Sequence, residues 1–397
     1  MLRRYVVPDM PSADELLPYL RQIDKNRWYS NFGPLVTQFE NRLLAFLAQR
    51  DEVAGAPPLA LTSVISCYHA LTIGLQLFRL PQDAKVLVPA VTFPACPLAV
   101  RHAKAEPVLA DIDGESWQLT PEIARRAAKA MPIHAVMPVA IYGAPAPVEG
   151  WDAFTKDTGI PVIIDAAAAL ESQSVPQNGI VAHSLHATKP FSVGEGGVLV
   201  SRNQDYIAEA RRISNFGTQE RITVQDGCNA KLSEYHGAVS LAQLDRWAQV
   251  KQRRRHVFDM YRQRLADARL DLHFQPGIDN VVLGSLMLCS PLRDAAAIAE
   301  ALSARGIMAH RMYLPPLYQH PHFAGLDCVS EAGVVLKADA EPQQKRAHMK
   351  NSEAMQRNVF GLPFHAFLDE GDIDYVTNAL IEIMDTSSVE VPMYKVL

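Results

Sequence analysis

A chain of 397 residues, 48% apolar and 20% charged, has the make-up of a folded globular protein with room for two domains. Its formal net charge of −5 gives no global attraction to nucleic acid or to an anionic membrane, so local basic groups would have to meet any anionic ligand. Five scattered cysteines (Cys67, Cys96, Cys228, Cys289 and Cys328), with no C-x-x-C pair, argue against a disulfide framework and a zinc site, and no metal is expected.

The N-terminal basic pair Arg3–Arg4 has no apolar stretch of signal-peptide length beside it, and no run reaches the length of a membrane span. The cytoplasm is therefore the expected compartment. Residues 12 to 27 place Leu16, Leu17, Leu20 and Ile23 on one helical stripe behind the capping candidate Ser12. W-Y-S-N-F-G-P-L-V breaks the pattern with a turn at Gly33–Pro34. A second helix follows, with Phe39, Leu43, Leu44 and Phe46 on its inner face.

Between about 59 and 202, short apolar runs alternate with helical stretches. Strands are expected at 86, 107, 134, 161 and 197, and helices near 66–78, 95–104, 120–130 and 148–158. Strands this apolar, separated by helices, predict an α/β sandwich with a mostly parallel sheet covered on both faces. Ligands then sit outside the carboxyl ends of the strands. A long helical pattern from about 233 to 265 connects this unit to a smaller one, with K-Q-R-R-R-H at 251–256 read as its solvated face. Strands near 279–289 and 307–313 and helices at 293–305, 350–359 and 371–384 describe a C-terminal α+β appendage, and the last dozen residues a loose tail. The expected division is a large domain over 1–250 and a small one over 251–397.

Chemistry concentrates in S-L-H-A-T-K-P-F-S-V-G-E-G-G, Ser184 to Gly197. Lys189 stands there among small and hydroxylated residues, either as an imine-forming amine or as a plain surface lysine. An imine requires that it lose its proton, through desolvation or a neighbouring positive charge. Asp165 ends the apolar run V-I-I-D and precedes four alanines, which leave space for a flat group. Its carboxylate could pair with a protonated pyridine nitrogen, or merely cap a helix. Ser184 is a candidate phosphate ligand. G-E-G-G is followed by a strand instead of the helix a dinucleotide fold needs, so it reads as a tight turn. His320 and His322 flank Pro321 with no acidic or cysteine cluster nearby, and read as a solvated loop.

Six segments in order resemble the DegT/StrS-type sugar aminotransferases, fold-type I enzymes that use pyridoxal 5′-phosphate (PLP). W-Y-S-N-F-G-P-L-V-T-Q-F-E resembles the family's opening W-x-x-x-G-P segment, ending at Glu40. V-P-A-V-T-F-P-A-C places Phe93 where the family stacks an aromatic on the cofactor ring. V-I-I-D-A-A-A-A makes Asp165 the ring-nitrogen partner. S-L-H-A-T-K-P with G-E-G-G makes Lys189 the Schiff-base lysine and Ser184 a phosphate ligand. G-C-N-A-K-L-S-E places Asn229 where the family's asparagine reaches the phosphate in the neighbouring subunit's site. Y-L-P-P-L-Y and G-L-P-F-H echo weaker C-terminal motifs, the first bringing Tyr313 to the substrate.

The resemblance implies a three-layer sandwich and a homodimer. It implies that an amino-acid donor, glutamate by family habit, passes its amino group through pyridoxamine phosphate (PMP) to a keto sugar, nucleotide-linked, in amino-sugar biosynthesis. Lys189 and Asp165 are the expected catalytic pair, and His186 is a candidate sugar contact or a packed structural histidine. The departures are Cys67 and Tyr68, where the family has a phosphate-holding G-T pair, Ala168 in place of Gln or His, and Tyr318 in place of His. Backbone amides at the helix start could still hold the phosphate there. Three rivals are a sugar dehydratase, which carries histidine where this chain has Lys189, a cysteine desulfurase relying on Cys328, and a PLP-binding regulator without turnover.

Overall fold

The structure, a computed structural model, describes residues 2–51 and 56–385; the C-terminal tail at 386–397 lies outside them. In chain order the large unit runs α1 (Ala13–Asn26), α2 (Pro34–Ala48), β1 (Ala60–Val64), α3 (Cys67–Leu77), β2 (Lys85–Pro89), α4 (Ala95–His102), β3 (Glu106–Ala110) and α5 (Pro121–Ala130). It continues with β4 (Ala135–Val136), α6 (Val148–Thr158), β5 (Ile163–Asp165), β6 (Ile180–Ser184), β7 (Gly197–Ser201), α7 (Gln204–Ile213), the short hairpin β8 (Thr218–Gln219) and β9 (Ile222–Thr223), and α8 (Glu234–Asp245). After α9 (Trp247–Ala268) come β10 (His273–Phe274), β11 (Leu286–Cys289), α10 (Ala295–Ala304), β12 (Cys328–Val329), β13 (Val335–Leu336), α11 (Pro342–His348), α12 (Lys350–Asn358), β14 (Val359–Leu362) and α13 (Glu370–Asp385).

Two sheets, β1-β7-β6-β5 and β13-β12-β3-β2-β4, are joined by parallel bridges from Val136 to Val162 and from Val139 to Asp165. The result is one continuous layer. β5 and β6 pair in parallel, as do β4, β2, β3 and β12 in turn, whereas β7 is antiparallel to both β1 and β6, and β13 to β12. Side chains alternate across it with the period of two that a strand imposes. Leu87, Ile164, Val181, Val198 and Val200 enter one core with Phe39 and Leu43 of α2, Trp151 and Phe154 of α6 and Leu241 of α8. Val86, Val88, Ile163, Ile180 and Leu199 enter the other with α3, α4 and α7. That double burial explains why these strands read as unbroken apolar runs, and it makes the three-layer sandwich expected from the sequence.

A third core gathers Val257, Phe258 and Tyr261 of α9 with β11, α10, β14 and α13 around the antiparallel sheet β10-β11-β14. The 250/251 boundary falls inside α9: Val250 packs in the first core and Val257 in the third. β12 and β13 return to the large layer, where β12 pairs with β3.

The basic run in α9 departs from expectation. Lys251 pairs with Glu171 at 2.8 Å, Arg253 with Asp9 at 2.8 Å, and Arg254 is buried, donating to the Leu283 carbonyl at 3.1 Å. The expected solvated face is a clamp that ties the N-terminal strap and the segment after β5 to the connector helix. The 233–265 pattern is also two helices, broken at Arg246, whose guanidinium binds Asp9 at 2.8 Å.

Candidate active site

A cavity of about 610 Å³ opens at the carboxyl ends of β2, β4, β5 and β6 and is roofed by residues 310–314 of the small unit. Open parallel sheets bind ligands at this end. Asp165 lies at its floor, only 5% exposed. Its Oδ2 accepts from the Cys96 thiol at 2.9 Å, and its Oδ1 from the Ala167 amide at 2.9 Å, with the Cys67 sulfur 3.9 Å away. Burial, then the Asp165 charge, push both thiols well above their usual range, so they stay protonated donors. Among the described residues no cationic side chain lies within ion-pair distance of this carboxylate.

One wall is the start of α3. Ser66 caps it, its hydroxyl accepting from the His69 amide at 3.3 Å. Gly197 of β7 is pressed against this turn: a Cβ there would stand 2.5 Å from the Cys67 nitrogen. The absent side chain is what lets the helix start sit beside Ser184. The Tyr68 hydroxyl bonds His102 Nδ1 at 3.0 Å, which leaves the helix start to offer its backbone amides. The Ser184 hydroxyl accepts from the His186 amide at 3.2 Å.

Lys189 enters from the loop between β6 and β7, held by backbone bonds from Lys189 to the His186 carbonyl (2.9 Å) and from Ala187 to the Gly194 carbonyl (2.8 Å). Its amine makes no hydrogen bond or ion pair among the described residues. Burial pushes its ammonium down, but the Tyr313 phenol and then the Asp165 carboxylate outweigh this, and the net direction is up. The protein alone therefore favours the ammonium form of Lys189, and burial by itself does not supply the proton loss that an imine requires. Opposite it Tyr313 stacks on Tyr142 with centroids 5.3 Å apart and planes 3° from parallel, and Phe93 meets Tyr313 edge-on at 6.3 Å. Both tyrosines hold positive φ, +57° and +64°, a sparsely populated region for bulky side chains.

Residues 12–381 match the DegT/DnrJ/EryC1/StrS aminotransferase family. The chain belongs to that family. Protein Rv3402c of Mycobacterium tuberculosis (H37Rv) is 30% identical over 393 residues, covering 95% of this chain and 89% of its own. A dTDP-4-amino-4,6-dideoxy-D-glucose transaminase of Shigella dysenteriae is 28% identical over 394 residues, 95% of this chain and 97% of its own. The crystal structure of S. venezuelae DesV in complex with a ketimine intermediate shares the fold, with a TM-score of 0.79 at 22% identity over 94% of this chain and 95% of that one.

The protein is thus a PLP-dependent aminotransferase, and the residues present fit that cofactor. Asp165 is a buried carboxylate without a cation, which is what a pyridinium N–H requires; the cradle kept open by Gly197 suits a phosphate; and Lys189 has an unengaged amine. Phe93, Asp165, Ser184, His186, Lys189, Cys67, Tyr68 and Tyr313 all line the one cavity. His186 is half-exposed, bonding Thr188 at 2.9 Å and facing Glu195 at 3.6 Å. Asn229 is not among them. It is exposed beside the β8–β9 hairpin, where its side-chain oxygen accepts from Lys231 at 2.7 Å.

Sequence reasoning missed Cys96, Tyr142 and Arg311. Cys96 carries no signal in the sequence, where a thiol without a neighbouring partner looks like any other core residue. Tyr142 stood in the expected strand at 134, which is only Ala135–Val136, with Tyr142 instead on the turn beyond it. Arg311 lies in an expected strand at 307–313 that is irregular apart from isolated bridges from Ile307 to Arg3 and from His310 to Gly361. Among the described residues no group of three or more His, Cys, Asp or Glu could hold a metal, and no helix is long and apolar enough to cross a membrane. Cys328 lies buried within β12, not on a loop where a desulfurase would need it.

Proposed function

We propose that this aminotransferase moves an amino group from glutamate to a keto sugar carried on a nucleotide, as a step in amino-sugar biosynthesis. It does so as a homodimer in which Asn229 of each subunit reaches the cofactor phosphate of the other. The observation that carries the reading is Lys189 and Asp165 in one cavity of about 610 Å³, within the range that holds a cofactor and one substrate. The Shigella relative named as a transaminase of a dTDP-linked amino sugar supports the acceptor class. The exposure of Asn229 outside its own chain's cavity supports a role across an interface.

When bound, PLP supplies an electron sink for the charge left when a C–H bond next to nitrogen loses its proton. The start of α3 and Ser184 would hold its phosphate, Asp165 its ring nitrogen, and Phe93 and Lys189 its ring face and carbonyl carbon. Asp165, buried and held by thiol and amide donors, keeps the proton on that nitrogen. Lys189 Nζ acts as the base that takes the donor's Cα proton and as the acid that returns it. Tyr313 and Tyr142 close the side facing the small unit and keep water from the reacting carbon.

The test is a screen of keto sugars, free and nucleotide-linked, against enzyme loaded with PMP. Return of the cofactor's visible absorbance with a nucleotide-linked keto sugar supports the reading. Return with simple keto acids alone overturns it.

A further inference from the structure

We propose that Arg311 receives the carboxylate of the amino-acid donor. The inference rests on the aminotransferase reading above and names a subsite that reading leaves open.

An amino acid carries its α-carboxylate one carbon from the nitrogen it gives up. If that nitrogen must come to Lys189, the carboxylate must come to rest in the same cavity. The charged or titratable walls there include Asp165 and Glu195, which repel an anion, His186, already bonded to Thr188 and facing Glu195, and His310, whose charged form burial disfavours. Among the described residues lining the cavity, Arg311 is the one permanent cation apart from Lys189, which the cofactor claims.

The Arg311 side chain is also unspent. It makes no hydrogen bond or ion pair among the described residues, and its Nε is buried without a partner. A buried guanidinium N–H left unpaired costs free energy that a bound carboxylate would recover, and a planar fork matches a carboxylate in bidentate fashion. Burial pushes this guanidinium down, and the acid whose field opposes that, Asp294, is already occupied as the cap of α10, accepting from the Ala296 and Ala297 amides at 2.8 and 3.1 Å. Arg311 is carried by the segment that also presents Tyr313, so the aromatic wall and the cation arrive together from the small unit.

The experiment uses holoenzyme of the wild type, Arg311→Met and Arg311→Lys. Glutarate, a dicarboxylate with no amino group to transfer, is titrated calorimetrically. The first half-reaction is then followed by loss of cofactor absorbance, with alanine and with its amino alcohol, which lacks the carboxylate. The expected result is a 10- to 100-fold weaker glutarate affinity in Arg311→Met, partly restored in Arg311→Lys. The wild type's preference for alanine over the amino alcohol should collapse in Arg311→Met, through the donor's KM. Unchanged glutarate affinity together with an unchanged preference overturns the proposal, as does a defect confined to the keto-sugar half-reaction. If wild-type enzyme fails to react with any amino acid, the functional reading fails instead, and the glutarate titration still decides the role of Arg311.

Discussion

The Cys96 thiol donates to Asp165 Oδ2 at 2.9 Å, from the first turn of α4 to the carboxyl end of β5. A carboxylate 5% exposed, with a neutral donor on each oxygen, is poised to meet a ring N–H without being neutralised by a protein cation first. Removing the donor should therefore be felt in the cofactor-free protein. Cys96→Ala is expected to lower its stability by about 1–2 kcal/mol, while Cys96→Ser, which keeps a donor, stays near wild type. Urea denaturation of the two apo variants checks this; equal midpoints would mean the thiol contributes nothing as a donor.

Glu234 joins two segments that lie two hundred residues apart. Its carboxylate, 1% exposed, accepts from the Leu35 and Val36 amides at 2.9 Å each and so caps α2, whose cap residue Gly33 offers no side chain. Gly33 is glycine for the same reason, since a Cβ there would stand 2.5 Å from Glu234 Cδ. Glu234→Ala should cost about 2–4 kcal/mol, with Glu234→Gln in between. Thermal melts of both variants test it, and a melt unchanged in Glu234→Ala would show that the cap contributes nothing to stability.

His183 is buried on β6, donating through Nδ1 to the Ala166 carbonyl at 3.2 Å, and burial lowers its pKa to about 4 against an ordinary 6.5. Between those values the unfolded chain binds a proton that the folded one refuses. Its contribution is therefore complete above pH 6.5 and is lost as pH falls toward 4, by about 3 kcal/mol. Replacing it by glutamine should flatten that part of the stability curve. A variant whose loss between pH 7 and pH 4.5 equals the wild type's would show that another group governs acid unfolding.

Asn229→Ala should weaken cofactor retention at the site of the partner subunit. In mixed dimers with one Asn229→Ala subunit and one Lys189→Ala subunit, retention at each site can be read separately. Loss at the mutated subunit's own site would contradict the assignment across the interface.

Much of the fold was legible because two-sided burial writes itself into a strand: V-L-V-P, P-V-L-A and V-I-I-D lie at β2, β3 and β5, as read. β1 and β6 were missed because A-L-T-S-V and I-V-A-H-S carry buried hydroxyls and a buried histidine, Thr62, Ser63 and His183, that break the apolar run. At the site, motif order located Lys189, Asp165 and Ser184, and the glycine run proved to be the turn it was read as. Glu40 and Glu234, prominent in the same motifs, turn out to be structural: Glu40 binds Ser63 and Arg211 at 2.7 and 2.8 Å. The basic run at 251–256 misled because nothing in sequence places Asp9 and Glu171 against it.

We infer that Lys189 and Asp165 serve one amino-transfer site. Wild-type and Lys189→Ala enzyme, each reconstituted with PLP, are given excess glutamate in separate reactions without an acceptor, and the 2-oxoglutarate released per subunit is counted. The expected result is one equivalent from the wild type and none from Lys189→Ala, whose cofactor-free melting temperature should be undiminished because the amine makes no hydrogen bond among the described residues. Release from Lys189→Ala at the wild-type rate, or none from a wild type that has visibly bound its cofactor, would contradict it.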